Sequence, residues 1–349
     1  MKRIVLSSVA AVALAGWTFG AQAQSKVTLR VADSLPAGHI ISETSTKPWI
    51  ELVKTLSKDR IEIQYYPAEQ VGKAKDLLQL TQAGMIDVGY VGPSYVSEKM
   101  PLSAVAELPG SFSSTCQVMS AYWDLASREG GYLYEHEFKP NKIRPLFIAA
   151  LPPYQVVLGG SATVNSMADL AGKKLRASGG AQDLTLRKLD MVSVRMAPPE
   201  IYEAMSRGTI DGTLLSFVSV ESYKLTDITK SATTGQNFGT VVVTYSIGDQ
   251  KWRGLPKDVQ DILKTAGDQI TRHACQNFDT QEKAATERLK EKGVKFITFT
   301  KAEQDKIDAA TGEVALDWAK SLDQRGKPGS ETLKAFRAAL AKDGQTKSN

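Results

Sequence analysis

Apolar and polar residues alternate from Val27 to Asp33, which predicts a first strand, and a loop follows from Ser34 to Gly38. Helical spacing runs from about Ser42 to Lys58. Alternation returns over Ile61 to Tyr66, places Tyr65 and Tyr66 in a sheet, and stops at Pro67. A helical stretch then holds Leu77, Leu78 and Leu80, and Met85 to Val91 reads as a strand. Strand, helix and strand in that order imply a parallel crossover unit.

The same order recurs. Val192 to Met196 has a strand pattern, Pro198-Pro199 opens a helix through Ile201, Tyr202, Ala204 and Met205, and Ile210-Asp211-Gly212 starts another strand. The junctions match as Gly84-x-Ile-Asp87 and Gly208-x-Ile-Asp211, each glycine being suited to the left-handed conformation just past a helix. Duplication explains this better than two coincident helix ends.

The expected architecture is α/β with two lobes and a ligand cleft between them. The chain crosses near the Ile143 to Leu158 run and returns near Thr240 to Ser246. An uninterrupted helical pattern from about Asp258 to Lys292 is long enough to span both lobes. Val294 to Phe299 reads as a strand, Lys301 to Lys342 as helices, and Asp343 to Asn349 as a frayed polar tail. The expected boundaries are a leader over 1–23, lobe I over 24–150 with about 239–275, and lobe II over 151–238 with about 290–325. The bridging helix covers about 257–292, and a C-terminal helix and tail 326–349.

Met1-Lys2-Arg3, an apolar run to Gly20 and the small residues of Ala21-Gln22-Ala23 form the pattern of a cleavable secretory leader, which predicts an exported, periplasmic protein. Of the 349 residues, 42% are hydrophobic and 23% charged, an ordinary globular composition, and the size favours two lobes. Cleavage lowers the formal charge of +5 by the two units of Lys2 and Arg3, leaving too weak a balance to imply nucleic acid. Export permits a disulfide between the two cysteines, Cys116 and Cys275, and two separate buried thiols fit as well.

Catalytic chemistry finds little support. His136 lies among acidic residues on a helix surface, His273 lies in the long helix, and His39 follows Gly38 in a loop where α/β ligands collect, without a pattern that favours binding. No Gly-x-Ser-x-Gly, Gly-x-Gly-x-x-Gly, phosphate loop or His-x-x-x-His is present in the sequence. No catalytic residue, metal or cofactor is expected.

The exported start, Tyr66-Pro67 with Gln70-Val-Gly72, the Gly84-x-Ile-Asp87 junction, Asp169-Leu-Ala-Gly-Lys-Lys-Leu-Arg176, Tyr202-Glu-Ala-Met205 and Gly208-x-Ile-Asp-Gly212 together resemble the DctP-type solute-binding proteins of TRAP transporters. The resemblance spans nearly the whole mature chain in order. It implies closure of two lobes over a small organic acid, delivery to membrane permease subunits, and a salt bridge from Arg176 to the substrate carboxylate. A guanidinium matches a carboxylate with two parallel donors, which is strong and directional in a dry cleft.

Departures from the family pattern narrow the ligand. Leu215 stands where many members have a ligand-binding Asn, Gln155 where sialic-acid binders have a second arginine, and Pro198 where an aromatic often flanks the ligand. With Leu214 and Phe217 nearby, a heavily hydroxylated ligand would leave buried groups unpaired, at about 1–3 kcal/mol each. The expectation is therefore a monocarboxylate with an apolar or aromatic body; the other reading is that Leu215 only packs the core. Ser94, Tyr95 and Tyr154 complete the expected ligand set. The expected receptor is a monomer, and the alternative from another class is a secreted hydrolase or lyase on the same fold.

Overall fold

The computed structural model describes residues 26–160 and 164–346, so the predicted leader lies outside the described residues. Alternating segments become strands where they can pair. β1 (Val27–Ala32) lies between β2 (Ile61–Tyr66) and β3 (Val88–Val91), parallel to both, while α1 (Lys47–Ser57) and α2 (Leu77–Gln82) make the crossovers. The predicted helix from Ser42 begins as a π-helical turn, Ser42–Thr46, ahead of α1. β3 begins at Val88, later than the apolar run suggests, because Gly84 and the next three residues form the junction itself.

The second unit repeats this arrangement. β6 (Lys174–Ala177) lies between β7 (Val192–Arg195) and β8 (Gly212–Leu215), parallel to both, with α4 (Ala181–Lys188) and α5 (Ile201–Ser206) as crossovers. The junctions superimpose in their bonding. Gly84 and Gly208 take φ of 71° and 68°. The Asp87 carboxylate accepts the Arg30 amide at 2.8 Å, and the Asp211 carboxylate accepts the Lys174 amide at 2.7 Å. In both units the aspartate at the end of the junction ties the incoming strand to the middle one.

Each sheet is extended by strands from the crossings between lobes. The first sheet has the order β2-β1-β3-β10-β4, with β4 (Ile143–Ala150) and β10 (Val242–Gly248) antiparallel to each other. The second has the order β11-β9-β5-β8-β6-β7, with β5 (Gln155–Leu158), β9 (Ser231–Thr233) and β11 (Lys295–Ile297). Between β4 and β5 the chain passes from one sheet to the other, and it returns between β9 and β10. The two passages are bonded together: Tyr154 donates its amide to Gly239 at 2.8 Å and Thr240 its hydroxyl to Leu151 at 2.6 Å.

After α6 (Phe217–Ser222) and α7 (Asp249–Gly254), α8 (Lys257–Glu291) has 35 residues, roughly 52 Å at 1.5 Å per residue. It packs on β4, α1 and α3 (Thr115–Ala126) of lobe I and on α6 of lobe II. Gly267 permits this: a Cβ there would lie 1.7 Å from the Leu146 carbonyl oxygen. One turn of α8 is fastened to both lobes. Asp279 accepts the amide and hydroxyl of Thr115 at the start of α3, and Glu282 accepts the amides of Phe217 and Val218 at the start of α6. Cys116 and Cys275 form a disulfide beside it, resolving the two readings of the cysteines. α9 (Lys301–Gln324) and α10 (Gly329–Thr346) follow; α10 packs along α3 and α9, and its end at Thr346 lies within the segment expected to fray.

Candidate functional site

The carboxyl ends of the parallel strands of both units converge on the seam between the lobes, where open α/β sheets gather ligands. Loops after β1, β3, β6 and β8 supply the chemistry. The loop after β6 runs through Gly179 and Gly180, whose φ values are 114° and 57°. A Cβ on Gly179 would lie 3.0 Å from the Ser94 carbonyl oxygen, so glycine lets lobe II lie directly against lobe I. At another point Ile40 donates its amide to Ser222 at 3.1 Å, and the His39 ring packs 4.9 Å from that of Tyr223. Two grooves open along the seam. One, of about 560 Å³, is lined by Ser94, Tyr95, Ser178, Arg195 and Met196. The other, of about 460 Å³, is lined by Pro36, Ala68, Pro198, Tyr202 and Tyr223.

Arg176, in the middle strand of the second unit, is 1% exposed. Its Nε donates to the Met196 carbonyl at 3.0 Å, its Nη2 has no partner, and no Asp or Glu among the described residues forms an ion pair with it. A buried guanidinium without a counter-charge is expensive, since desolvation penalises the ion and nothing offsets it. The fold therefore holds a cation ready for an anion.

Two tyrosine hydroxyls lie within electrostatic reach of that charge. Tyr154 and Tyr223 sense the Arg176 cation and the Tyr95 hydroxyl, and burial pushes their phenols well above the ordinary range. Tyr90, packed 6.5 Å from Tyr95, is pushed up in the same way. These phenols stay protonated, and the hydroxyls of Tyr90, Tyr95, Tyr154 and Tyr223 make no hydrogen bond to any described residue. One cation, several neutral donors and flat apolar faces suit an anion with an unsaturated or apolar body.

Two further buried groups lie at the seam. Glu107 is 0% exposed; one oxygen accepts the Ser94 hydroxyl at 3.1 Å and the Val242 amide at 3.3 Å, and Oε2 has no partner. Burial pushes its carboxyl up to about 8, so it is neutral at pH 7. His39 is also 0% exposed and burial pushes it down to about 3.

The residues singled out from sequence separate into groups. Arg176, Tyr154 and Tyr95 share the buried electrostatic cluster, Ser94 joins it through Glu107, and Pro198 lines the second groove. Strand register pairs Leu215 with Gln155 and Thr213 with Arg176, so Leu215 and Gln155 share the face of the sheet that bears Arg176. The Gln155 amide is already engaged, donating to Gln236 at 2.5 Å and accepting from Thr233 at 3.0 Å. Phe217 is turned elsewhere, its ring edge-on to Phe296 of β11 at 5.2 Å. Sequence reasoning missed Tyr90, Glu107 and Tyr223. Glu107 had a readable signal as the lone acid in the apolar run Leu102 to Pro109, whereas Tyr90 and Tyr223 look like core aromatics. Among the described residues no cluster of His, Cys, Asp and Glu could hold a metal ion. None of the described helices is long and apolar enough to cross a membrane.

This geometry has relatives. The C4-dicarboxylate-binding periplasmic protein DctP of Rhodobacter capsulatus is 25% identical over 297 residues, covering 83% of this chain and 84% of that protein. A marine metagenome TRAP solute-binding protein specific for aromatic acid ligands, solved with metahydroxyphenylacetate, superimposes with a TM-score of 0.83 at 23% identity, over 91% of this chain and 99% of that one. A TRAP solute-binding protein from Rhodoferax ferrireducens, solved with copurified benzoate, gives 0.83 at 23% identity over 92% and 99%. These structures share the two-lobe fold, and they are binding proteins. The family described as bacterial extracellular solute-binding protein, family 7, matches residues 31–321. The chain thus belongs to the DctP family of extracellular solute-binding proteins.

Proposed function

We propose that this protein is the exported, monomeric receptor of a TRAP transporter, that it closes over a small monocarboxylate with an aromatic or apolar body, and that it delivers this acid to membrane permease subunits. The observation that carries the reading is Arg176: a fully enclosed guanidinium with a free Nη2 and no acidic partner among the described residues, within reach of the protonated hydroxyls of Tyr154 and Tyr223. A ligand carboxylate supplies the missing charge. Because that contact reaches its full strength only when lobe I covers Arg176, binding favours the closed form.

One buried cation favours one carboxylate. Among the cations of the first groove, Arg195 is already paired with Asp183, and Lys73, Lys75 and Lys99 line it from lobe I. The tyrosine faces and Leu215 favour a flat or apolar body over a polyhydroxylated one. Two structural relatives hold metahydroxyphenylacetate and benzoate, which supports the same class for this chain. Of the residues chosen from sequence, Arg176, Tyr154, Tyr95, Ser94 and Leu215 belong to this ligand set, with Pro198 at its rim. Gln155 supports the sheet, and Phe217 the contact with β11. Residues 1–23 are proposed as the leader that directs export to the periplasm.

Mass spectrometry under native and then denaturing conditions, on protein purified from the periplasm, tests the reading. Release of a small carboxylic acid, with stoichiometric thermal stabilisation by benzoates or mandelate and none by neutral sugars, is expected. Turnover of the acid, or a neutral copurifying ligand, would overturn it.

A further inference from the structure

His39 is a buried donor in search of an acceptor. Its Nδ1 accepts the Ile41 amide at 3.2 Å, which fixes the proton on Nε2. Burial keeps the ring neutral, and the Nε2–H meets neither protein partner nor solvent. Buried donors are almost always satisfied, so one left bare beside the seam between the lobes calls for an explanation.

The surroundings of His39 supply one. It belongs to lobe I, but its ring lies against Tyr223 of lobe II, and the adjacent Ile40 amide bonds Ser222 across the seam. Tyr223 in turn senses Arg176 and lines the second groove. His39 thus stands on the lobe facing Arg176, with Tyr223 between them.

We infer that His39 Nε2–H donates to a second oxygen on the ligand, remote from the carboxylate held by Arg176, so that the receptor selects hydroxylated aromatic acids over the unsubstituted parent. This rests on the assignment of the carboxylate to Arg176. Glu107, with its own orphan oxygen, is tied by its other oxygen to the Ser94 hydroxyl and the Val242 amide. Its bonds leave it less free than His39 to follow a ligand.

The test is calorimetric titration of the ligand-free full receptor with benzoate, 2-hydroxybenzoate, 3-hydroxybenzoate and 4-hydroxybenzoate. The wild type should bind the 3- or 4-hydroxy acid at least about tenfold more tightly than benzoate, a single well-made hydrogen bond, with no such gain for the 2-hydroxy isomer. In His39→Phe, which keeps the stack on Tyr223, the ratio of the two affinities should fall to about one, and His39→Gln should restore part of it. In the wild type the His39 Hε2 resonance should move downfield with the preferred hydroxy acid and stay in place with benzoate, a readout that needs no folded variant. A wild-type ratio near one, a ratio that survives in His39→Phe, or an unmoved Hε2 resonance would overturn the inference. Failure of the underlying carboxylate assignment looks different: Arg176→Met would then bind benzoate as tightly as the wild type.

Discussion

Replacing Arg176 by Met removes the guanidinium while keeping a side chain of comparable reach, and it separates a ligand-binding arginine from a structural one. Arg176 is 1% exposed, holds one internal bond to Met196, and has no acidic partner among the described residues. If a ligand carboxylate is its partner, the variant leaves that carboxylate buried and unpaired in the complex. Breaking a buried ion pair from one side costs about 3–5 kcal/mol. At about 1.4 kcal/mol per decade, that is a Kd raised roughly a hundredfold to a few thousandfold. The ligand-free protein should behave in the opposite way: an apolar replacement relieves an uncompensated buried charge, so its thermal midpoint should hold or rise. Titration calorimetry on the ligand acid, beside differential scanning of both ligand-free proteins, reads the two halves. In the wild type, ligand at 100 times Kd should add about 2.7 kcal/mol, and the variant at the same concentration almost nothing. Arg176→Lys should recover only a fraction, because an ammonium cannot reproduce two parallel donors. Affinity within threefold of wild type in Arg176→Met would refute the reasoning, as would a ligand-free variant destabilised by several kcal/mol.

Three more outcomes follow from the buried groups and the packing. The Glu107 carboxyl is held up at about 8 by burial, so the folded state binds its proton more tightly than the unfolded one; the associated stability is full at low pH and is lost between about 4.5 and 8. Glu107→Gln should flatten that part of the pH–stability curve and raise the thermal midpoint at pH 8, while Glu137 and Glu282, both pushed up to about 7, keep their share of the slope. Replacing Cys116 and Cys275 by Ser opens a link between residues 159 apart and should lower stability by about 2–4 kcal/mol in denaturant melts, with no change in benzoate affinity at 25 °C. Gly267→Ala sets a methyl group against the Leu146 carbonyl and should destabilise by about 2–3 kcal/mol through shifting α8 off β4, whereas the same change at Gly312, where nothing lies within 4 Å, should not.

Local rules made much of the fold legible. The Gly-x-Ile-Asp junctions stood out because a left-handed glycine and a strand-tying aspartate leave few alternative residues. The strands that follow them, β3 and β8, were readable because burial on both faces leaves short apolar runs. Long-range partners were not readable. Nothing near Glu282 in sequence says that its carboxylate holds the start of α6, and nothing near Phe217 says that its ring meets Phe296. The site followed the same division. Arg176 was identifiable because its neighbours resemble a family pattern, whereas Tyr90 and Tyr223 enter the cluster only through the packing of one lobe on the other. Gln155 shows the reverse: it stands on the face that bears Arg176, but a Thr233 and a Gln236 some eighty residues away have claimed its amide.

The two carboxylates of α8, Asp279 and Glu282, stand one helical turn apart while holding helices of different lobes. That turn is accordingly a shared anchor for a helix of each lobe. The disulfide beside it adds a covalent tie between α3 and α8. Any change that breaks α8 at this turn would therefore release a helix of each lobe at once.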